Sequence, residues 1–142
     1  MIIRCWGARG AIPVSGKEYL MYGGDTTCIE IRTGDDNIII IDAGSGIRRL
    51  GNRLLKENRH KYTIIFTHAH WDHLLGFPFF EPIYIKKTYI DIFGCPFVQK
   101  SVKNMISQTM TPPNFPVRFE EIKAEISYHG TCEDHFSINS MI

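Results

Sequence analysis

In the run Thr67-His68-Ala69-His70-Trp71-Asp72-His73, three of the chain's six histidines stand beside a carboxylate within six residues. Imidazole and carboxylate are the ligand types that zinc, iron and manganese take. The apolar stretch just before it, Tyr62-Thr63-Ile64-Ile65-Phe66, reads as a buried strand. A strand ending here delivers the cluster to the rim of a sheet, which constrains the fold more than any other feature of the chain. His68 and His70 lie two apart, so in extended backbone they share a side and can share one ion. Asp72 and His73 come after the chain begins to turn; they face differently and suit a second ion beside the first. Histidines scattered by chance account for one such residue, not for this group.

The rest of the composition is that of an ordinary globular chain. At 142 residues, with 44% apolar and 22% charged content, one domain with a core of useful size is expected. The net charge is +1, with Lys and Arg interspersed among Asp and Glu, so no global field marks a nucleic-acid or membrane-surface protein. A local site for a nucleotide is not excluded by that. The N-terminus has no apolar signal segment, and no apolar run is long enough to span a bilayer. Cys5, Cys28, Cys95 and Cys132 are scattered singly. They read as buried free thiols rather than a disulfide framework, which makes a cytoplasmic, reducing location the default expectation.

No repeat, low-complexity tract or linker divides the chain. Residues 1–6 and 27–33 read as strands, the second alternating Cys28-Glu30-Arg32 against Ile29-Ile31. Gly34-Asp35-Asp36-Asn37 is turn chemistry, so the strand at 38–42 is expected to pair back as a hairpin. Its four consecutive isoleucines predict burial on both faces. Ala43-Gly44-Ser45-Gly46 breaks the run ahead of a helix over 47–58. There Ile47, Leu50, Leu54 and Leu55 recur on one side and Arg48, Arg49, Arg53 and Lys56 on the other. Strand, helix, strand and metal loop in this order make an α/β unit with a helix covering one sheet face. Further on, 89–93 reads as a strand. Val98, Val102, Met105, Ile106 and Met110 form a helical stripe, a core feature rather than a cofactor box, ending before Pro112-Pro113. Strands are expected at 123–129 and from 138 onward.

The motif resembles the signature of the metallo-beta-lactamase fold hydrolases. Cys5-Trp6-Gly7-Ala8-Arg9-Gly10-Ala11-Ile12-Pro13, Tyr22-Gly23-Gly24-Asp25-Thr26-Thr27-Cys28 and Ile41-Asp42-Ala43-Gly44-Ser45-Gly46 resemble the branch that holds ribonuclease Z and phosphodiesterase-like members. So do Gly76-Phe77-Pro78-Phe79-Phe80 and Pro112-Pro113-Asn114-Phe115-Pro116. The resemblance implies an αββα sandwich (helices, sheet, sheet, helices) and a two-metal site for divalent ions, zinc foremost, with manganese or iron as alternatives. In it His68 and His70 hold the first ion and Asp72 and His73 the second, with Asp72 the catalytic carboxylate. It further implies hydrolysis of a small-molecule or nucleotide phosphodiester by metal-activated water, although the fold also serves lactones, thioesters and beta-lactams.

Family members are longer, and their second half supplies a further histidine, an aspartate that bridges the metals and a last histidine. None has a match here. The chain therefore resembles the N-terminal half: a single domain over 1–142, incomplete at its C-terminus. Two expectations follow. One is association, as a homo-oligomer or with a complementing C-terminal half, because a half sandwich leaves an apolar sheet face open and strand edges unpaired. The other is a competing functional class, a non-catalytic metal-binding or interaction remnant, since two ligands per ion are few for tight binding.

Around the motif several residues carry two readings each. Asp42 ends a buried strand and needs partners; orienting a ligand histidine or the motif backbone supplies them, while capping the next helix, together with Ser45, is the alternative. Thr67 fixes the loop or merely ends a strand. Trp71 and the Phe77–Phe80 aromatics wall a pocket or form a core satellite. Gly7, Gly10, Gly23, Gly24, Gly44 and Gly46 permit tight turns, but none of these runs has phosphate-loop spacing. Arg9 meets a substrate phosphate or, the favoured reading, has a solvent-facing or structural role. His129 and His135 are assigned loop or surface roles rather than replacement of a missing ligand. His60 is expected to be solvated.

Overall fold

The structure is a computed structural model, and it describes residues 1–96, 100–133 and 135–138. One six-stranded sheet forms it: β1 (Ile2–Gly7), β2 (Cys28–Arg32), β3 (Ile38–Ile41), β4 (Lys61–Phe66), β5 (Tyr89–Gly94) and β6 (Glu125–Gly130). The spatial order is the sequence order. β1, β2 and β3 pair antiparallel, the last two through the expected hairpin; β3 to β6 pair parallel. Three parallel crossovers step in the same direction. Because such crossovers are right-handed, they return over the same face, and among the described residues the other carries no helix.

On the covered face α1 (Ile47–Lys56) seats Ile47, Leu50 and Leu54 against Ile40, Ile64 and Ile92, all fully buried. α3 (Val102–Ser107) and the 3-10 turn that continues it add Val102, Met105, Ile106 and Met110. Ser101 opens α3 by accepting from the Asn104 N–H. Val98, expected at the head of this stripe, lies outside the described residues, as does most of the strand expected from 138; Ile138 itself is not in a strand. Phe77, Pro78 and Phe80 are buried, with Phe66 meeting Phe77 edge-on, and belong to the core, while Phe79 is exposed and meets Phe115.

Three expectations are corrected. Ile38 and Ile40 are buried but Ile39 and Ile41 are only half-buried, so β3 is not covered on both faces. They belong to an open face, with Ile29, Ile65 and Phe93 in register beside Ile41. Second, Cys95 and Cys132 form a disulfide, with Cα atoms 4.6 Å apart, tying the ends of the neighbouring strands β5 and β6; only Cys28 is a buried thiol, and Cys5 is exposed. The strands bring together two cysteines far apart in sequence, and the cysteines therefore give no argument for a reducing compartment. Third, His60 is half-buried, with Thr88 Oγ1 and Asn58 Oδ1 at its two ring nitrogens. Among the described residues no helix is long and apolar enough to cross a membrane.

Candidate metal centre

β4 ends at Phe66, and the chain runs extended through His70, whose ψ of 149° precedes the short helix α2 (Trp71–Leu74). This change from strand to helix brings His73 back toward His68 and His70 rather than turning it to a separate side. His68 and His70 stand ring to ring at 4.3 Å between centroids, and His73, returned by the helical turn, brings its ring to 4.0 Å from His68. Asp72 Oδ2 lies 3.6 Å from His73 Nε2. All four predicted ligands are therefore in one cluster at the C-terminal rim of the parallel strands, where open α/β sheets place their sites.

The loop is held from two directions. The buried Asp42 ends β3 at a φ of 61°, a left-handed conformation that Asp and Asn tolerate better than most residues. Its carboxylate accepts from Thr67 N–H at 2.8 Å, from the Thr67 hydroxyl and from His73 Nδ1 at 2.7 Å. With its proton given to Asp42, Thr67 Oγ1 is an acceptor toward His68 Nδ1 at 3.0 Å. Both imidazoles thus carry their proton on Nδ1 and present the lone pair of Nε2, the tautomer a metal ligand needs. Asp42 is not a helix cap: α1 starts at Gly46 without a side-chain cap, and Ser45 instead exchanges hydrogen bonds with Thr26. Asp42 and Thr67 thus both bond directly to histidines of the cluster, Asp42 to His73 and Thr67 to His68.

The second support was not legible in the sequence. The Ala11 N–H donates to Asp72 Oδ2 at 2.9 Å, across a turn in which Ala11 has a φ of 71°. From the covered side, Ala43 N–H donates to His73 O and Gly76 N–H to Ala43 O, each at 2.8 Å. This approach requires glycine: a Cβ on Gly44 would stand 2.5 Å from Asp72 O, and one on Gly76 only 2.0 Å from Gly44 O. The one hint was that both glycines fall in runs picked out by resemblance.

The cluster's electrostatics favour cation binding. Burial, then the neighbouring His73 and His70, lower the pKa of His68, so it stays neutral at physiological pH. Burial alone would raise Asp72, but the Ala11 N–H and the nearby His73 and His70 outweigh it and hold the carboxyl below its ordinary range. In kind, the donors fit a divalent ion. The 3.6 Å between Asp72 Oδ2 and His73 Nε2 is close to the ~3.4 Å that two tetrahedral donors keep about one zinc. In number they stop short: among the described residues no group of three or more His, Cys, Asp or Glu side chains is placed to hold an ion.

The remaining candidates lie elsewhere. His129 is exposed on β6, 3.1 Å from Asp91 Oδ1 and stacked on Phe93, and His135 is exposed. Trp71 is exposed beside the cluster. A cavity of about 490 Å³ opens on the helix-free sheet face between Lys61, Thr63, Asp91 and His129, but none of the four clustered ligands lines it.

Comparison with known proteins agrees with this architecture. The family model for the metallo-beta-lactamase superfamily matches residues 21–127. Among solved structures, the chain is similar to a diphosphatase from the PhnP family at 15% identity and a TM-score of 0.59, covering 96% of this chain and 53% of that one. It is also similar to the metallo-beta-lactamase fold protein YhfI from Bacillus subtilis at 16% identity and a TM-score of 0.53, covering 88% and 44%. The chain thus spans about half the length of the solved structures it matches. No curated protein matches it.

Proposed function

We propose that this chain, which belongs to the metallo-beta-lactamase superfamily, carries the histidine-rich part of a metal-dependent hydrolase site that acts on phosphodiesters. The observation that carries the reading is the cluster of His68, His70, Asp72 and His73, with Asp42 and Thr67 setting the tautomers of His68 and His73. His68 and His70 are assigned to one divalent ion and Asp72 and His73 to a second, zinc foremost, with manganese or iron as alternatives. When bound, such ions polarise a phosphoryl oxygen and make water a nucleophile near neutral pH. The protein's own part is to keep His68 neutral, to hold Asp72 ionised against the Ala11 N–H, and to orient His73 through Asp42 and His68 through Thr67. A phosphodiester substrate agrees with the diphosphatase among the structural neighbours; at that identity the likeness supports the fold, and the substrate is inferred from the resemblance of the flanking runs.

The test is turnover of bis(p-nitrophenyl) phosphate with zinc or manganese, beside a panel of carboxylic esters and lactones. Metal-dependent diesterase activity is expected; ester turnover without it overturns the phosphodiester assignment. A second reading, a metal-binding or interaction module without catalysis, is favoured because no group of three ligands is placed to hold an ion among the described residues. Stoichiometric metal binding without turnover of any substrate in the panel selects it.

A further inference from the structure

We propose that the pocket beside the histidine cluster, lined by Ala8, Arg9, Gly10, Tyr19 and Tyr22, binds a nucleotide, with Arg9 taking the phosphate and Tyr22 stacking on the base. The inference deepens the hydrolase reading and rests on it for the role of the site. The pocket has a volume of about 420 Å³, within the range of small-ligand sites. It is separated from the cluster by the thickness of one residue: Gly10 lines it, and the next residue, Ala11, bonds Asp72. A Cβ on Gly10 would be 4.0 Å from Asp72 Oδ2.

Arg9 has the structural contacts that its favoured sequence reading, solvent or structure, allowed. Its backbone is pinned by Arg9 N–H to Asp25 O at 3.1 Å and by a bridge to Thr26. Its Nε–H donates to Ile12 O at 3.1 Å, and the guanidinium lies 5.0 Å from the centroid of the Tyr19 ring. Those contacts occupy Nε and one face of the guanidinium plane and leave both Nη groups. Among the described residues no carboxylate forms an ion pair with it. Glu18, the carboxylate in the lining, folds back against Gly16 instead. A half-buried arginine held in place with its fork unpaired is the group that recognises a phosphate bidentately. Tyr22, on the same wall, is 84% exposed, as its neighbours Leu20 and Met21 are at 80%, and its uncovered ring offers a face on which a base can stack. The φ of 71° at Ala11 fits a turn kept strained for a site.

The experiment is calorimetric titration of the chain in EDTA with adenosine monophosphate, adenosine and inorganic phosphate, for the wild type, Arg9→Gln, Arg9→Lys and Tyr22→Ala. The wild type is expected to bind the nucleotide at least tenfold more tightly than adenosine. Arg9→Gln should erase that difference with adenosine binding unchanged, and Arg9→Lys should recover part of it. Tyr22→Ala, an exposed position that cannot unfold the chain, should weaken nucleotide and adenosine alike several-fold. Nucleotide affinity equal to wild type in either Arg9→Gln or Tyr22→Ala, or no nucleotide binding by the wild type up to millimolar concentration, overturns the proposal. Diesterase activity is scored separately: activity with Arg9-independent binding sinks only this inference, and Arg9-dependent binding without turnover sinks only the hydrolase reading.

Discussion

His73 Nδ1 and Asp42 Oδ2 stand 2.7 Å apart although 31 residues separate them in the chain. The contact joins the end of β3 to the turn after β4, and these strands are parallel neighbours. Parallel pairing brings the two C-terminal ends to the same rim, so a buried carboxylate from one strand can orient an imidazole delivered by the next.

Asp42→Asn is expected to weaken divalent-metal binding by roughly 10–100-fold, the usual loss when the partner of a ligand histidine is removed. Asn accommodates the left-handed backbone at this position, so the change isolates the carboxylate. Competition with a chromophoric chelator measures it; wild-type affinity in the mutant would show that Asp42 does not act on the histidines.

The double change His68→Ala with His70→Ala should abolish zinc, manganese or iron carried by the purified protein, read by elemental analysis at fixed protein concentration. Equal metal content in mutant and wild type means that the cluster is not the metal site.

Glu30 is fully buried and accepts from Trp6 Nε1 at 2.9 Å while pairing with Arg32 and Arg4. Glu30→Ala strands those donors and is expected to cost about 3 kcal/mol, at the low end for a broken buried pair because Arg4 stays partly solvated. Glu30→Gln, which keeps an acceptor for Trp6, should cost less. Urea denaturation with unchanged m-value checks both; a loss below about 1 kcal/mol for Glu30→Ala contradicts the network's importance.

Glu57 gives a pH-dependent test. Burial raises its pKa, but Arg53 and Arg32, hydrogen-bonded to its two oxygens, outweigh that and lower it from the ordinary 4.5. A depressed carboxyl stabilises the fold above its unfolded pKa, and that stabilisation is lost as pH falls through the folded value. Glu57→Gln should therefore lower Tm at pH 7, and its difference from wild type should shrink as the pH drops below about 4.5. A difference that stays constant down to pH 3 refutes the assignment.

What the sequence determined by itself was local. The strand at 62–66, the change of period after it and the identity of His68, His70, Asp72 and His73 are all features of consecutive residues, and consecutive residues decide which donors a strand end presents. The helix at 47–56 and the hairpin through residues 34–37 were legible for the same reason. The choice between two readings of Asp42 was not, because a buried carboxylate shows its need for partners but not which partners the neighbouring strand supplies. Nor was the sense of β2: its alternation is real, yet Cys28 and Glu30 face the core and Ile29 and Ile31 the open side. Arg4, Arg32 and Trp6 make that burial of a charge tolerable, and only strand pairing assembles them. The joining of Cys95 to Cys132, the grip of Ala11 on Asp72 and the stacking of Arg9 on Tyr19 were decided the same way. Each depends on a distance between segments, which periodicity and residue type do not encode.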